Sequence, residues 1–126
     1  MSEGLRGVIV AHAEVAAALV AAVAAITGDD AGLAPVSNAG CGREALRERL
    51  DAAVGAGPAL VFTDLAGGSC TAAAAALARS RADVRVVAGV SLPMLLEFAF
   101  HRDETPEAAA ARAVGAGHAA VREVGR

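Results

Sequence analysis

The stretch that decides the fold is ALVFTDLAGGS, residues 59–69. Its first five residues form a short, uninterrupted apolar run, as is typical of a strand that is buried on both faces. Gly67 and Gly68 then break the chain, and Ser69 opens an alanine-rich segment that predicts a helix to about residue 79. The stretch therefore predicts a buried strand, a tight turn and a helix in succession.

The same order recurs on both sides of this stretch. An apolar run at residues 7–11 predicts a second buried strand, and residues 14–27 predict the helix that follows it. A third strong strand is predicted at residues 84–90. After it, Ser91 and Pro93 have the order of an N-cap and a proline in the first turn, which predicts a short helix to about residue 100.

Three further elements complete the pattern. Residues 33–37 predict a strand, and Pro35 favours an edge position for it because proline has no N–H to donate to the sheet. A charged amphipathic helix is predicted at residues 43–54. A last helix is predicted from residue 106 to about 116, where Gly117 is expected to end it.

Strands and helices thus alternate through residues 1–126 without a linker or an internal repeat, and we expect a single domain. This alternation predicts an α/β fold: a three-layer sandwich with a mostly parallel central sheet and helices on both faces. The expected strand order is the flavodoxin-like 2-1-3-4. Residues 119–124 fit either a continued helix or a terminal strand, and the local pattern leaves both open.

The composition excludes several classes of protein. Hydrophobic residues make up 56% and aromatic residues 2% of the chain, and the net charge is −3, which argue against a disordered chain and against a nucleic-acid partner. The longest apolar run, residues 15–26, is shorter than the roughly 20 residues that a spanning helix needs, so no membrane insertion is expected. The first residues lack the order of a signal peptide, and Cys41 and Cys70 lie far apart, which together predict a reduced, cytoplasmic protein.

The candidate site lies where the strand order of such a sheet reverses, because ligands bind there beyond the carboxyl ends of the strands. His12 follows the first strand and Asp64 follows the third, so the two side chains are expected to face each other. A carboxylate that accepts the Nδ1–H of a histidine leaves a lone pair on Nε2. The turn of Gly67, Gly68 and Ser69 offers backbone N–H groups and a hydroxyl at a helix N-terminus, which suits an anion.

These residues have structural interpretations as well. His12 can be a solvated residue, Asp64 can cap its turn, and the glycine pair can serve only as a tight turn. Cys70 is interpreted as a small apolar residue of the helix rather than a nucleophile, because it has no obvious base. His101 and His118 are expected at the surface. The spacing of the histidines matches no metal-binding pattern, so neither a metal nor a cofactor is expected.

Three stretches resemble a known family: VIVAH at residues 8–12, FTDLAGGS at 62–69 and AGVSLPMLLE at 88–97. They are similar to the enzyme IIA component of the mannose-type (mannose/fructose/sorbose) phosphoenolpyruvate-dependent sugar phosphotransferase system. The stretches lie in the order and at the separations found in that family, and the resemblance covers essentially the whole chain. Its most specific part is the third stretch.

The resemblance implies a phosphocarrier, a transferase that is itself transiently phosphorylated. His12 would accept a phosphoryl group on Nε2 from the phosphocarrier HPr and pass it to an enzyme IIB, with Asp64 bound to the other ring nitrogen. Gly67, Gly68 and Ser69 would lie near the phosphoryl group. Members are typically homodimers that exchange a C-terminal antiparallel strand, which favours the strand interpretation of residues 119–124.

The chain departs from the family pattern at two places. Ala13 stands where the family often has glycine, and Cys70 and Thr71 follow Ser69 where the family commonly has proline and then asparagine nearby. Three alternatives to sugar transport stay open: a phosphoryl donor to a dihydroxyacetone kinase, a regulatory module that senses phosphorylation without onward transfer, and a small-ligand-binding domain that uses the glycine turn to hold a phosphate.

Overall fold

Strands and helices alternate through residues 4–125, the part of the chain that the computed structural model describes. The strands are β1 (Arg6–Ala11), β2 (Leu33–Ser37), β3 (Ala59–Thr63) and β4 (Val84–Ala88). The helices are α1 (Val15–Thr27), α2 (Arg43–Val54), α3 (Ser69–Ser80), α4 (Leu92–Phe100) and α5 (Pro106–Ala120). The end residues of the predicted domain, 1–3 and 126, lie outside the described residues.

The four strands form one parallel sheet in the order β2-β1-β3-β4, which confirms the predicted order. The chain leaves β1 for β2 on one side and crosses back to β3 on the other, so the order reverses between β1 and β3. Pro35 of β2 pairs with Ile9 of β1, and β2 lies at the edge of the sheet as predicted.

Helices cover both faces of the sheet, which confirms the three-layer sandwich. Val8 and Val10 of β1 pack in the core layer beneath α2 and α3, whereas Ile9 packs in the opposite layer with α1, α4 and α5. The alternation follows from the two-residue period of a strand. In the second layer Phe62 and Phe98 meet edge to face, with ring centroids 5.6 Å apart.

The first turns of α4 and α5 begin as predicted but are capped differently. Thr105 caps α5 through its side chain, which accepts a hydrogen bond of 3.2 Å from the Ala108 N–H. Ser91 occupies the predicted N-cap position of α4, yet its side chain makes no capping hydrogen bond, and its buried hydroxyl has no partner among the described residues.

Two predicted boundaries were wrong, and a glycine accounts for each. β4 ends at Ala88 rather than at residue 90, because Gly89 adopts a φ of +77° and turns the backbone out of the strand. Gly117 does not end α5, which continues to residue 120. The missing Cβ lets α5 approach α4 closely: a Cβ at Gly117 would overlap the terminal methyl of Met94 and lie 3.1 Å from its Cγ.

The last described residues form no strand within the single chain. Ala119 and Ala120 complete α5, and the backbone from Val121 to residue 125 is irregular. The side chains of Val121 and Val124 are 85% and 89% exposed. A strand exchanged with a second subunit therefore stays a prediction. Among the described helices, none has the length and apolarity needed to cross a bilayer.

Candidate functional site

The candidate site lies at the carboxyl edge of the sheet, where β1 and β3 run side by side. His12 is the first residue after β1, and Asp64 is the first residue after β3. The pairing of Val10 with Thr63 places the ends of the two strands next to each other. The parallel register therefore brings together two residues that are 52 positions apart in the chain.

One carboxylate oxygen of Asp64 contacts both the backbone and the ring of His12. Asp64 Oδ2 accepts a hydrogen bond of 2.9 Å from the His12 backbone N–H, and it also lies 2.9 Å from Nδ1 of the ring. An ionised carboxylate can only accept, so Nδ1 carries the proton and Nε2 keeps the lone pair. The His12 side chain is 43% exposed, whereas that of Asp64 is 15% exposed. The ring is thus held from the protein side and is open to solvent.

Asp64 is ionised at neutral pH despite its partial burial. Burial raises the pKa of this carboxyl group, but the hydrogen bonds from the backbone and ring of His12 outweigh burial and hold the pKa below its ordinary value of 3.8. The second oxygen, Oδ1, is buried and has no hydrogen-bond partner in the described part of the chain. The site therefore contains a partly buried carboxylate of which one oxygen, Oδ2, is hydrogen-bonded and the other, Oδ1, is not.

The loop after β1 is held in an unusual conformation by the last residue of β2 and the residue that follows it. Ala13 has a φ of +49°, in the left-handed region, where a Cβ is unfavourable and glycine is the usual residue. Its N–H donates to Asn38 Oδ1 (3.2 Å), and Ser37 Oγ donates to its carbonyl (2.8 Å). Ser37, the last residue of β2, and Asn38, the first residue after it, were not predicted as site residues, although their position at the carboxyl end of β2 was a signal.

The turn of Gly67, Gly68 and Ser69 is exposed and leads into α3. Gly68 occupies the N-cap position with a φ of +93°, a conformation that favours glycine, and no side chain caps the helix. The first N–H groups of α3 are thus available to an anion. The turn follows Asp64 by three residues, at the same edge of the sheet as His12.

Two threonines hold the base of this turn. Thr63 is fully buried and donates to the Leu65 carbonyl (3.2 Å). The hydroxyl of Thr71 lies 2.7 Å from that of Thr63 and also reaches the Leu65 carbonyl. Thr71, which departs from the family pattern, is therefore part of the support of the turn.

Cys70 is buried in the first turn of α3, as its interpretation as an apolar residue requires, but it also lies near the histidine. Its Sγ, a ring nitrogen of His12 and a carboxylate oxygen of Asp64 all lie within 4.8 Å of one another. Burial raises the pKa of the thiol, and the negative charge of Asp64 raises it further. His101 and His118 form no hydrogen bond or ion pair with His12 or Asp64 in the described structure.

Comparisons with known proteins agree with this architecture. The model of the family described as PTS system fructose IIA component matches residues 7–114. The chain is similar to the mannose/sorbose-specific IIA subunit of the phosphotransferase system from Enterococcus faecalis, with 28% identity, a TM-score of 0.90, and coverage of 98% of this chain and 97% of the other.

The phosphotransferase system component EIIA from Streptococcus agalactiae has the same fold, with 24% identity, a TM-score of 0.88, and coverage of 94% of this chain and 96% of the other. No curated protein sequence matches the chain.

Proposed function

Because this chain belongs to the family of PTS system fructose IIA components, we propose that it carries phosphoryl groups on His12. Membership makes it a phosphotransferase-system component. The proposal adds that Nε2 of His12 accepts the phosphoryl group from HPr and passes it to an enzyme IIB, for sugar uptake and phosphorylation. The observation that supports it most is the pair of contacts between Asp64 Oδ2 and His12.

The transfer step follows from this geometry. The Nε2 lone pair of His12 attacks the phosphorus of the phosphohistidine donor, so that a new N–P bond forms while the N–P bond of the donor breaks. The donor imidazole leaves with the electron pair, and the His12 ring gains positive charge because both of its nitrogens are then substituted. Asp64, 2.9 Å from Nδ1, opposes that charge without having to move.

The phosphoryl oxygens need donors, and the turn after β3 supplies them. The free N–H groups at the start of α3 and the hydroxyl of Ser69 suit three negative oxygens. The glycines matter because Gly67 and Gly68 leave the backbone uncovered, so that an anion can approach the N–H groups. We assign Gly67, Gly68 and Ser69 to phosphate binding on this basis.

The surroundings of His12 suit contact with two different proteins in turn. Leu65, directly after Asp64, is 57% exposed, and Val15, three residues after His12, is 40% exposed. Exposed apolar side chains beside a half-exposed ring form a shallow surface of the kind that transient partners use. We propose that the protein acts in the cytoplasm as a homodimer, in which the exposed residues 121–125 pair with the second subunit.

The test of the function is phosphorylation of the purified chain by phosphoenolpyruvate, enzyme I and HPr, followed by intact mass measurement. We expect an acid-labile adduct of one phosphoryl group, lost in His12→Ala and kept in His101→Ala and His118→Ala. An adduct that survives His12→Ala would disprove the proposal.

The acceptor is tested separately, by incubating the phosphorylated chain with an enzyme IIB or with a dihydroxyacetone kinase complex. Loss of the adduct to the IIB alone is the expected result. Transfer to the kinase complex alone would show that the chain is a phosphoryl donor for dihydroxyacetone phosphorylation. Retention of the adduct with both acceptors would favour a regulatory role.

A further inference from the structure

We propose that His12, Asp64 and Cys70 form a binding site for one thiophilic divalent cation such as Zn²⁺, and that the cation and the phosphoryl group exclude each other. The cation site stands on the geometry alone, whereas the exclusion rests on the proposed function. The site joins residues from three separate segments, which is why the histidine spacing in the sequence predicted no metal.

The separations within the cluster suit such a cation. One ligand atom from each of the three residues lies within 4.8 Å of the other two, and Asp64 Oδ2 lies 2.9 Å from His12 Nδ1. Tetrahedral zinc, with bonds of about 2.0 Å to nitrogen or oxygen and about 2.3 Å to sulfur, separates its ligand atoms by roughly 3.3–3.5 Å. Shifts of about an ångström in three side chains therefore suffice to close the site around the cation.

The orphaned oxygen of Asp64 is an independent observation that points to a cation. Buried carboxylate oxygens are nearly always paired, and leaving one unpaired costs free energy. Oδ1 has no partner in the described structure, and no arginine contacts the group. The two hydrogen bonds from His12 reach only Oδ2 and leave the negative charge on Oδ1 uncompensated. A cation bound to the carboxylate would offset that charge.

The ligand types select the cation. A sulfur ligand favours soft or borderline ions such as Zn²⁺ and disfavours Mg²⁺ and Ca²⁺, which prefer oxygen. Coordination replaces the S–H bond of Cys70 with a metal–sulfur bond, and the thiol proton passes to solvent. Three protein ligands leave the fourth position of a tetrahedral cation to water, and the 43% exposure of the His12 side chain gives solvent access to the site.

The cation excludes the phosphoryl group because a neutral imidazole ring has only one nitrogen lone pair available for a new bond. Neutral histidine has a single nitrogen lone pair for a new bond, while the other nitrogen carries a proton. A cation bound to either nitrogen takes that lone pair and leaves the ring proton on the remaining nitrogen. A metal-bound His12 therefore has no electron pair with which to attack phosphorus.

The binding test is titration of the metal-free full chain with Co²⁺, in which a cobalt–thiolate bond gives a sulfur-to-metal charge-transfer band. The chain offers a matched control in its second cysteine, Cys41, which is partly buried and lies outside the cluster. We expect saturation at one Co²⁺ per chain in wild type and in Cys41→Ala, and displacement of Co²⁺ by Zn²⁺. We expect no band in Cys70→Ala and at least tenfold weaker binding in His12→Ala. The His12 side chain is 43% exposed, so we expect His12→Ala to stay folded.

A band that persists in Cys70→Ala, or that is lost in Cys41→Ala, would overturn the site, as would wild type without saturable binding. Circular dichroism of each variant separates loss of the site from loss of the fold.

Exclusion is measured as the ratio of phosphorylation rates with and without Zn²⁺, taken within each variant against the same enzyme I and HPr. We expect the rate with saturating Zn²⁺ to be at least tenfold lower than the rate without Zn²⁺ for wild type. For Cys70→Ala we expect the two rates to be nearly equal. Equal ratios in the two proteins would refute the exclusion. A wild-type chain that binds Co²⁺ but is never phosphorylated would instead refute the proposed function and leave the cation site standing.

Discussion

Replacing Asp64 with asparagine removes one negative charge and almost no volume. The asparagine oxygen can still accept a hydrogen bond from the His12 backbone N–H, so the loop after β1 keeps its position. What the substitution removes is the charged partner of Nδ1, at 2.9 Å. The change therefore isolates the electrostatic role of Asp64 from its role in positioning the loop.

The expected loss follows from the type of bond. A hydrogen bond to a charged group contributes about 1.5–3 kcal/mol. Asp64 is 15% exposed, so solvent screens little of its charge, and a value of about 2 kcal/mol is reasonable. The full contribution is felt in the transition state, where the His12 ring becomes positive. At about 1.4 kcal/mol for each factor of ten, Asp64→Asn should slow phosphorylation on the order of 30-fold.

The assay is the initial rate of adduct formation from phosphoenolpyruvate, enzyme I and HPr, followed by intact mass. Asp103→Asn, in an exposed loop, is the control for loss of one negative charge from the whole chain, and it should keep the wild-type rate. Thermal unfolding should show that Asp64→Asn is folded at the assay temperature. A rate for folded Asp64→Asn within twofold of wild type would refute the assignment of Asp64 as the group that stabilises the charge.

Four further outcomes are expected. Ala13→Gly should raise the free energy of unfolding by about 0.5–1 kcal/mol in a denaturant titration, since relief of the left-handed strain exceeds the added entropy of the unfolded chain; a destabilised variant would contradict this. Gly117→Ala should be about 1 kcal/mol or more less stable than Gly115→Ala, because a Cβ meets α4 at the first position and open space at the second. Thr105→Ala should cost about 1 kcal/mol through loss of its cap on α5, measured in the same titration. Because its pKa is lowered in the folded chain, Asp64 contributes stability above its unfolded pKa, and this contribution is lost as pH falls through the folded value; acid unfolding of Asp64→Asn should thus be less steep than that of wild type below about pH 4.

The elements of the fold were predictable because their signals are local. The apolar runs of β1 and β3 are long enough to fill a strand and too short for a helix, and a parallel sheet follows when helices separate such strands. Pro35 could be assigned to an edge for a reason that lies within the residue, its missing N–H. The facing of His12 and Asp64 was also predictable, because it needs only the strand order.

The glycines of the chain show where local reasoning fails. Gly117 reads as a helix stop in the sequence, yet in the structure it is the point at which α5 approaches Met94. A glycine serves either purpose with the same lack of a Cβ, and the choice depends on what packs against it. Ala13 presents the converse case, since hydrogen bonds with Ser37 and Asn38 hold an alanine in a conformation that its own propensity disfavours.

Cys70 shows the difference between what the sequence determines and what only the tertiary structure determines. Patterns within single segments predict the order and the type of the secondary-structure elements. The rules by which such elements connect then predict the parallel sheet and the positions of His12 and Asp64. The approach of the Cys70 thiol to the histidine and the carboxylate, and the support of the β1 loop by Ser37 and Asn38, depend on distances between segments. Such distances are set by side-chain packing across the whole domain, which no pattern within a segment encodes.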